Sequence, residues 1–232
     1  MLIIAHRGAS GELPEGSKAA YEAAIDQKAD GLECDLRLTK DNQIICYHDS
    51  NTARLSKINL EIAKTNYAQL ANEVDPYPFE QLLKLAIDNK KDLVLEFKHP
   101  VPSGGRVERA VHKLLKSNKA QIRASGIKIT AISFSFLATL RNKLAQNDLY
   151  QAGLLINNKL YARLNPTSIF AVNIDLLKQN PKLGHKIKKN GNKLYIWTVN
   201  DQADLIFCEK IGADAIITDF PRRMIEWKKF LI

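Results

Sequence analysis

Cysteine is scarce in this chain of 232 residues: there are three, Cys34, Cys46 and Cys208, and no two form a C-x-x-C pair. A disulfide framework and a cysteine-ligated zinc site are therefore excluded, and a reducing compartment is the simpler expectation. Long apolar runs are missing too. No window reaches the roughly 18 apolar residues of a membrane span, and the opening MLIIAHRG has no basic segment followed by a long apolar one. Neither stable membrane insertion nor a secretory leader is expected, and the protein should be soluble and cytoplasmic. No G-x-G-x-x-G follows the first apolar run, which argues against an open dinucleotide-binding sheet. Acidic residues are the minority, 25 against 34 Lys plus Arg, giving a formal net charge of +9 that favours anionic partners in general. The one lysine cluster, Lys186, Lys188, Lys189 and Lys193, has no aromatic interleaving or recognition motif beside it. It reads as a solvated helix end, and nucleic acid is not an expected partner.

What is present is 45% hydrophobic content, enough to bury one large core. Apolar runs alternate with helical periodicity along the chain: LIIA, GLECDLRLT, LVLEF, IKITAIS, YQAGLLI, SIFAVNI, KLYIWTV and DAIIT read as strands, with helical patterns between them. QIICYH reads as a further strand paired with GLECDLRLT, and residues 49–77 read as an irregular, mostly polar insertion. A single helix is expected from about Leu176 to Lys189, and a terminal one around Met224 to Leu231, whose stripe of Met224, Trp227 and Leu231 suits packing on a sheet. About eight strand-helix units predict an α/β fold, a TIM (β/α)8 barrel in one domain over 1–232, with the insertion after the second strand region.

Sites in such barrels lie at the C-terminal ends of the strands, and the polar exceptions fall there. Glu33 and Asp35 are two apart in a strand, so both point one way while Leu32, Cys34 and Leu36 point the other. Two carboxylates on one inner face call for a hard, oxygen-seeking cation such as Mg²⁺ or Ca²⁺; exposed acids on a surface strand would fit the same alternation. Cys34, on the opposite face, reads as a small core residue. Glu96 and Lys98 again share a face, and the lysine can balance a carboxylate or meet a phosphate. His6 and His48 end apolar runs, and each taken singly could equally be a structural histidine. His99, His112 and His185 are expected to be structural. Ser133, Trp197, Asn200, Thr218 and Asp219 also finish or follow strands, with Trp197 either core or a wall of the site.

Nine segments occur in order: HRGAS at 6–10, PE at 14–15, DGLECDL at 30–36, HD at 48–49, YPFEQLL at 77–83, LEFK at 95–98, SF at 133–134, WTVN at 197–200 and GADAIITDFP at 212–221. Together they resemble the glycerophosphodiester phosphodiesterase family, whose members are TIM barrels that cleave glycerophosphodiesters with a divalent cation. The resemblance implies Glu33, Asp35 and Glu96 as metal ligands and His6 and His48 as the catalytic pair, with a lean to His6 as base and His48 as acid. Arg7, Lys98 and Trp197 would meet the substrate, a small-molecule diester attacked by water or by the glycerol 2-hydroxyl. A lysophospholipase D acting on lipids and a non-catalytic phosphate-binding barrel are the alternatives. Two departures stand out. Glu15-Gly16-Ser17 replaces the family's Glu-Asn-Thr, with Ser17 still able to cap the helix. SNTARLS after His48 only approximates the family's continuation there.

Overall fold

Each strongly apolar run becomes a strand whose two faces are both covered, as a parallel sheet requires. The computed structural model describes every residue except Leu149, Leu231 and Ile232. In chain order the first half holds Leu2–His6 (β1), Lys18–Asp26 (α1), Gly31–Leu38 (β2), Ile44–Cys46 (β3), Tyr67–Glu73 (α2), Tyr77–Pro78 (β4), Phe79–Asp88 (α3) and Asp92–Phe97 (β5). Arg106–Ser117 (α4), Lys119–Ser125 (α5), Ile129–Ser133 (β6), Phe136–Leu144 (α6), Tyr150–Ile156 (β7) and Lys159–Leu164 (α7) follow. The last part comprises Ile169–Asn173 (β8), Ile174–Gln179 (α8), Pro181–Lys189 (α9), Lys193–Trp197 (β9), Gln202–Lys210 (α10), Ala215–Thr218 (β10) and Pro221–Lys228 (α11).

Eight parallel strands, β1, β2, β5, β6, β7, β8, β9 and β10, pair in sequence order, and β1 closes the ring by pairing with both β2 and β10. This is the TIM barrel. Its interior is an apolar cluster drawn from seven strands: Ile4, Val94, Ile132, Leu155, Ile169, Ala171, Tyr195, Ala215 and Ile217. The outward faces pack under the helices in two larger clusters, one holding Leu32, Cys34, Leu36 and the α3 residues Leu82 and Leu83. The other includes Met224 of α11, with Trp227 packed against it. The terminal helix is thus a barrel helix, although Leu231 of the expected stripe lies outside the described residues. No helix among the described residues is long and apolar enough to cross a membrane.

Three expectations need correction. The helix read from Leu176 to Lys189 is two, α8 and α9, because Pro181 has no amide hydrogen to extend the first and instead begins the second. The terminal helix starts at Pro221 rather than near Met224 for the same reason. Residues 49–77 are irregular only in their first half: after 49–61, which form turns and bends, come a short 3-10 turn at Ile62–Lys64, α2 and the lead into β4, and the stretch packs over a core of Ile45, Tyr47, Ile62 and Leu70.

Candidate active site

Strand register assembles the carboxylates. His6 of β1 is the register partner of Glu33, and Asp35 is that of Glu96, so three acids and an imidazole occupy neighbouring positions, with strands about 4.8 Å apart. Glu33 stands level with Val94, a barrel-core residue, and so takes a place that an apolar side chain would fill in a purely structural barrel. Glu33 and Asp35 are 2% exposed and Glu96 is 9% exposed, which disposes of the surface-strand alternative. An unrelieved buried carboxylate costs several kcal/mol, roughly, so three together are kept against stability.

One ligand oxygen from each of Glu33, Asp35 and Glu96 lies within 4.8 Å of the others. Lys98 Nζ is 2.9 Å from Asp35 Oδ1 and 2.6 Å from Glu96 Oε1, and Arg7 Nε is 2.8 Å from Asp35 Oδ2. These cations offset two of the three negative charges. The contacts to Asp35 are close in distance but poorly aligned, and neither Asp35 oxygen has a hydrogen bond among the described residues. Burial, then the neighbouring Asp35 charge, pushes the Glu33 carboxyl well above the usual carboxylate range. Asp35 moves the other way: burial opposes ionisation, but Lys98 and Arg7 outweigh it. Under-bonded, mutually repelling oxygens of this kind suit a hard divalent cation, so the residues present fit one.

The loop after β1 turns at once, with Arg7 at φ 55° and Gly8 at φ 82°. Left-handed backbone is unusual for arginine and persists only where surrounding contacts hold it. It brings the Arg7 amide to Glu33, 3.0 Å from Oε2, while the guanidinium reaches both Asp35 and Glu15. At Gly8 the same turn leaves no room for a side chain: a Cβ there would stand 2.5 Å from the backbone of Ala20 in α1.

His6 Nδ1 is 2.6 Å from Asp219 Oδ1. Asp219 is itself fixed, since Ser10 Oγ donates to its Oδ1 at 3.0 Å and Asn200 Nδ2 to its Oδ2 at 2.6 Å. Asn200 Oδ1 in turn accepts from the Asp219 amide at 2.9 Å. With Nδ1 engaged, Nε2 is the free nitrogen, and it lies 3.9 Å from Glu33 Oε2. Burial lowers the proton affinity of His6, yet the Asp219 hydrogen bond and the Glu33 charge leave it above the ordinary histidine value. Burial also works against the Asp219 charge, but the bond to His6 holds its carboxyl down at about 2.

His48 arrives differently from the expectation that it ends a strand. β3 runs antiparallel to β2 and stops at Cys46, because β2 overshoots its barrel neighbour β1 and the chain must double back to the mouth. The Tyr47 amide bonds Asp35 O at 2.9 Å, and Arg37 donates to the His48 carbonyl from Nε and Nη2 at 3.0 and 2.7 Å. His48 Nδ1 is 2.7 Å from Asp49 Oδ1. Burial, offset only in part by Asp35 and Asp49, leaves this imidazole with lowered proton affinity.

His6, Arg7, Glu33, His48, Glu96, Lys98 and Trp197 all border one cavity of about 120 Å³, closed on its apolar side by Phe134 and Trp197. Their rings meet edge to face at 5.5 Å, and Trp197 Nε1 donates to Ala171 O at 2.8 Å, so the indole is a fixed wall. Asp35 borders an adjoining recess with Arg7, Glu15 and His48. A larger hollow of about 320 Å³ between α4, α5 and β7 touches no carboxylate and is not the site. The other three histidines do not border this cavity: His99 Nε2 is 3.1 Å from Glu108 Oε1, His112 Nε2 is 3.0 Å from the Tyr150 hydroxyl, and His185 is exposed. Ser133 is buried against Phe97 O.

The sequence places Asp219 and Asn200 at the strand ends without a role, and gives none to Asp49 or Arg54. HD and TDFP were both in view, and barrel closure, which sets β10 beside β1, was the signal that would have joined Asp219 to His6. Gly16 has φ 68°, which asparagine tolerates, and a Cβ there would meet only Cys46 O at 3.5 Å. Gly16→Asn should therefore fold, keep any cation-induced gain in Tm and change turnover by a small factor. Loss of the Tm gain in that variant would show the loop to be rebuilt around the glycine.

Comparison with known proteins gives a consistent answer. Residues 6–223 match the glycerophosphoryl diester phosphodiesterase family. A probable glycerophosphodiester phosphodiesterase 1 of Mycobacterium tuberculosis is 29% identical over 97% of this chain and 91% of its own length. A glycerophosphodiester phosphodiesterase of Caldanaerobacter subterraneus is 30% identical over 97% of this chain and 96% of its own. Among solved structures, an Oleispira antarctica phosphodiesterase in complex with the product sn-glycerol-3-phosphate superposes with a TM-score of 0.86 at 20% identity, covering 99% of this chain and 97% of that one.

Proposed function

Because the chain belongs to the glycerophosphoryl diester phosphodiesterase family, we propose that it hydrolyses glycerophosphodiesters to glycerol 3-phosphate and an alcohol, cation-dependently, with His6 and His48 exchanging the protons. The chain is a phosphoric diester hydrolase; the cation, the roles of residues and the substrate class are the proposal. Its main support is that two imidazoles, each bound through Nδ1 to a carboxylate, border one cavity with Glu33, Glu96 and the two cationic side chains, Asp35 lying in the recess beside it. All of 1–232 is read as one catalytic domain.

Glu33, Asp35 and Glu96 would hold the cation, Mg²⁺ or Ca²⁺. When bound it supplies charge neutralisation at a phosphate oxygen. Arg7 and Lys98 add positive charge on the same wall, and the arginine fork suits a phosphate. A base gains from higher proton affinity and an acid from lower, which favours His6 as base and His48 as acid. His6 Nε2 takes the proton of the attacking oxygen as that oxygen bonds phosphorus, and Asp219 stabilises the resulting imidazolium. The bond from phosphorus to the departing alcohol breaks, its electron pair stays on the alcohol oxygen, and His48 Nε2 supplies the proton. Attack by water gives glycerol 3-phosphate directly. Attack by the glycerol 2-hydroxyl gives a cyclic phosphate that water must then open.

A cavity of about 120 Å³ walled by Phe134 and Trp197 suits a glycerol phosphate and has no trough for an acyl chain. In the insertion Ile62 is buried and Leu60 packs on the same small core. Leu55 and Ile58, about half exposed, are the feature that favours the second reading, a lysophospholipid substrate. Glycerophosphocholine, glycerophosphoethanolamine and a lysophospholipid should be compared at equal concentration below the micelle threshold, with released phosphomonoester or alcohol as readout. Soluble diesters should be turned over faster. Faster cleavage of the lysophospholipid would replace this reading with the lipid one, and no cleavage of any would remove both.

A further inference from the structure

Arg54 lies in the insertion, in the stretch where the family resemblance is loosest, yet all three of its nitrogens are engaged with carboxylates of the site's outer edge. Nε donates to Asp49 Oδ2 at 2.6 Å, Nη1 to Glu15 Oε2 at 3.0 Å and Nη2 to Glu15 Oε1 at 2.6 Å. Each carboxylate has a second task. Asp49 holds His48 Nδ1 through its other oxygen, and Glu15 Oε1 also accepts from Arg7 Nη1 at 3.1 Å. One guanidinium therefore joins the loop after β1 to the segment after β3, and both arms lead to groups bordering the cavity.

Arg54 is not what holds the insertion together. The turn carrying it is pinned by Thr52, which is fully buried: the Thr52 hydroxyl donates to Ile58 O and accepts from the Leu60 amide, and the Thr52 amide bonds Leu60 O at 3.0 Å. The core of Ile45, Tyr47, Ile62 and Leu70 lies beneath it. Arg54 is itself 46% exposed, where ion pairs add little stability, so its bidentate geometry serves orientation. Without it the Asp49 carboxylate is free to rotate about its own side-chain bonds, and the His48 ring loses the partner that keeps Nε2 toward the cavity.

We propose that Arg54 is a positioning residue: by locking Asp49 against Glu15 it fixes the His48 imidazole for proton donation to the departing alcohol. The proposal rests on the reading of His48 as the acid. An alkyl alcohol departs with difficulty unless protonated, whereas p-nitrophenol departs as the anion and needs no proton, so loss of an aligned acid shows selectively on the alkyl diester.

The test measures kcat and KM for glycerophosphoethanolamine and for the p-nitrophenyl ester of glycerol 3-phosphate. The proteins are wild type, Arg54→Met, Arg54→Lys and His48→Ala, each with a thermal melt. For Arg54→Met the expected loss in kcat on the alkyl diester is about 10–100-fold, the scale for removing a partner that orients an active-site group. KM should change little, the aryl diester should be nearly unaffected and the melt should be close to wild type. Arg54→Lys should recover part of the loss, since lysine keeps the charge but not the fork. His48→Ala should show the same selectivity in larger measure. Equal losses of Arg54→Met on both diesters, a change confined to KM, or no loss would overturn the positioning role. Equal losses of His48→Ala on both would remove its premise while leaving the hydrolase standing. A wild type that cleaves neither diester would instead overturn the proposed function.

Discussion

Alanine at His6 or at His48 should lower kcat on glycerophosphoethanolamine by at least ~10²-fold, the scale for a positioned acid or base, while the protein still unfolds near the wild-type temperature. The fold should survive because neither ring belongs to an apolar cluster: their side chains are 19% and 34% exposed at the mouth. Nor does either deletion strand a buried charge. Asp219 keeps its bonds from Ser10 and Asn200 when His6 is removed, and Asp49 keeps Arg54 when His48 is removed. His112→Ala should behave in the opposite way. Its ring packs edge-on against Tyr150 at 5.1 Å and bonds the phenol, so the variant should melt earlier and turn over normally. Steady-state kinetics and melts on the three proteins check this. Equal kcat losses in all three would make the effect structural, and the acid-base assignment would go with it.

The barrel and the carboxylates were legible in the sequence because both depend on local alternation. Glu33 and Asp35 share a face by strand geometry, and Glu96 and Lys98 do so in the same way, so only the register between β2 and β5 was needed to bring the two pairs together. His6 was legible as the end of an apolar run. What was not legible depended on contacts distant in sequence. The Asp219 bond to His6 spans 213 positions and exists only because β10 closes on β1. The Arg54 clamp on Glu15 spans 39 positions across two loops with no periodicity to announce it. The insertion reads as irregular because its two buried anchors, Ile62 and Leu70, are too widely spaced to show one period, although they converge in space on Ile45 and Tyr47 ahead of it. Helix ends failed where proline decides them: Pro181 falls inside a run of otherwise helical spacing, and Pro221 opens the last helix one turn before its apolar stripe begins.

Chelation of divalent cations should abolish turnover, and restoring Mg²⁺ or Ca²⁺ should raise Tm as well as activity. A ligand at 100 times its dissociation constant adds about 2.7 kcal/mol to the folded state, which in a domain of this size is on the order of 5–10 °C. The gain should grow with pH, for a reason set by Glu33. Its folded-state proton affinity is raised, by burial and then by Asp35, so its contribution to stability is fully present below the unfolded value and is lost as pH rises through the raised one. The cation-free protein should accordingly lose this contribution between mildly acidic and mildly alkaline pH. A bound cation displaces the proton and removes that loss, so the difference in Tm with and without cation should be larger at pH 8 than at pH 6. Glu33→Gln separates the two roles of the residue. It removes the carboxyl whose ionisation burial and Asp35 oppose and keeps an oxygen to accept from the Arg7 amide, so without cation at pH 8 the variant should melt at or above the wild-type temperature. With cation it should show a much smaller gain in Tm and little turnover. A full cation-dependent gain in Glu33→Gln, or full turnover after exhaustive chelation of the wild type, would falsify the assignment of these carboxylates to a metal, leaving Arg7 and Lys98 as the groups that neutralise the phosphate.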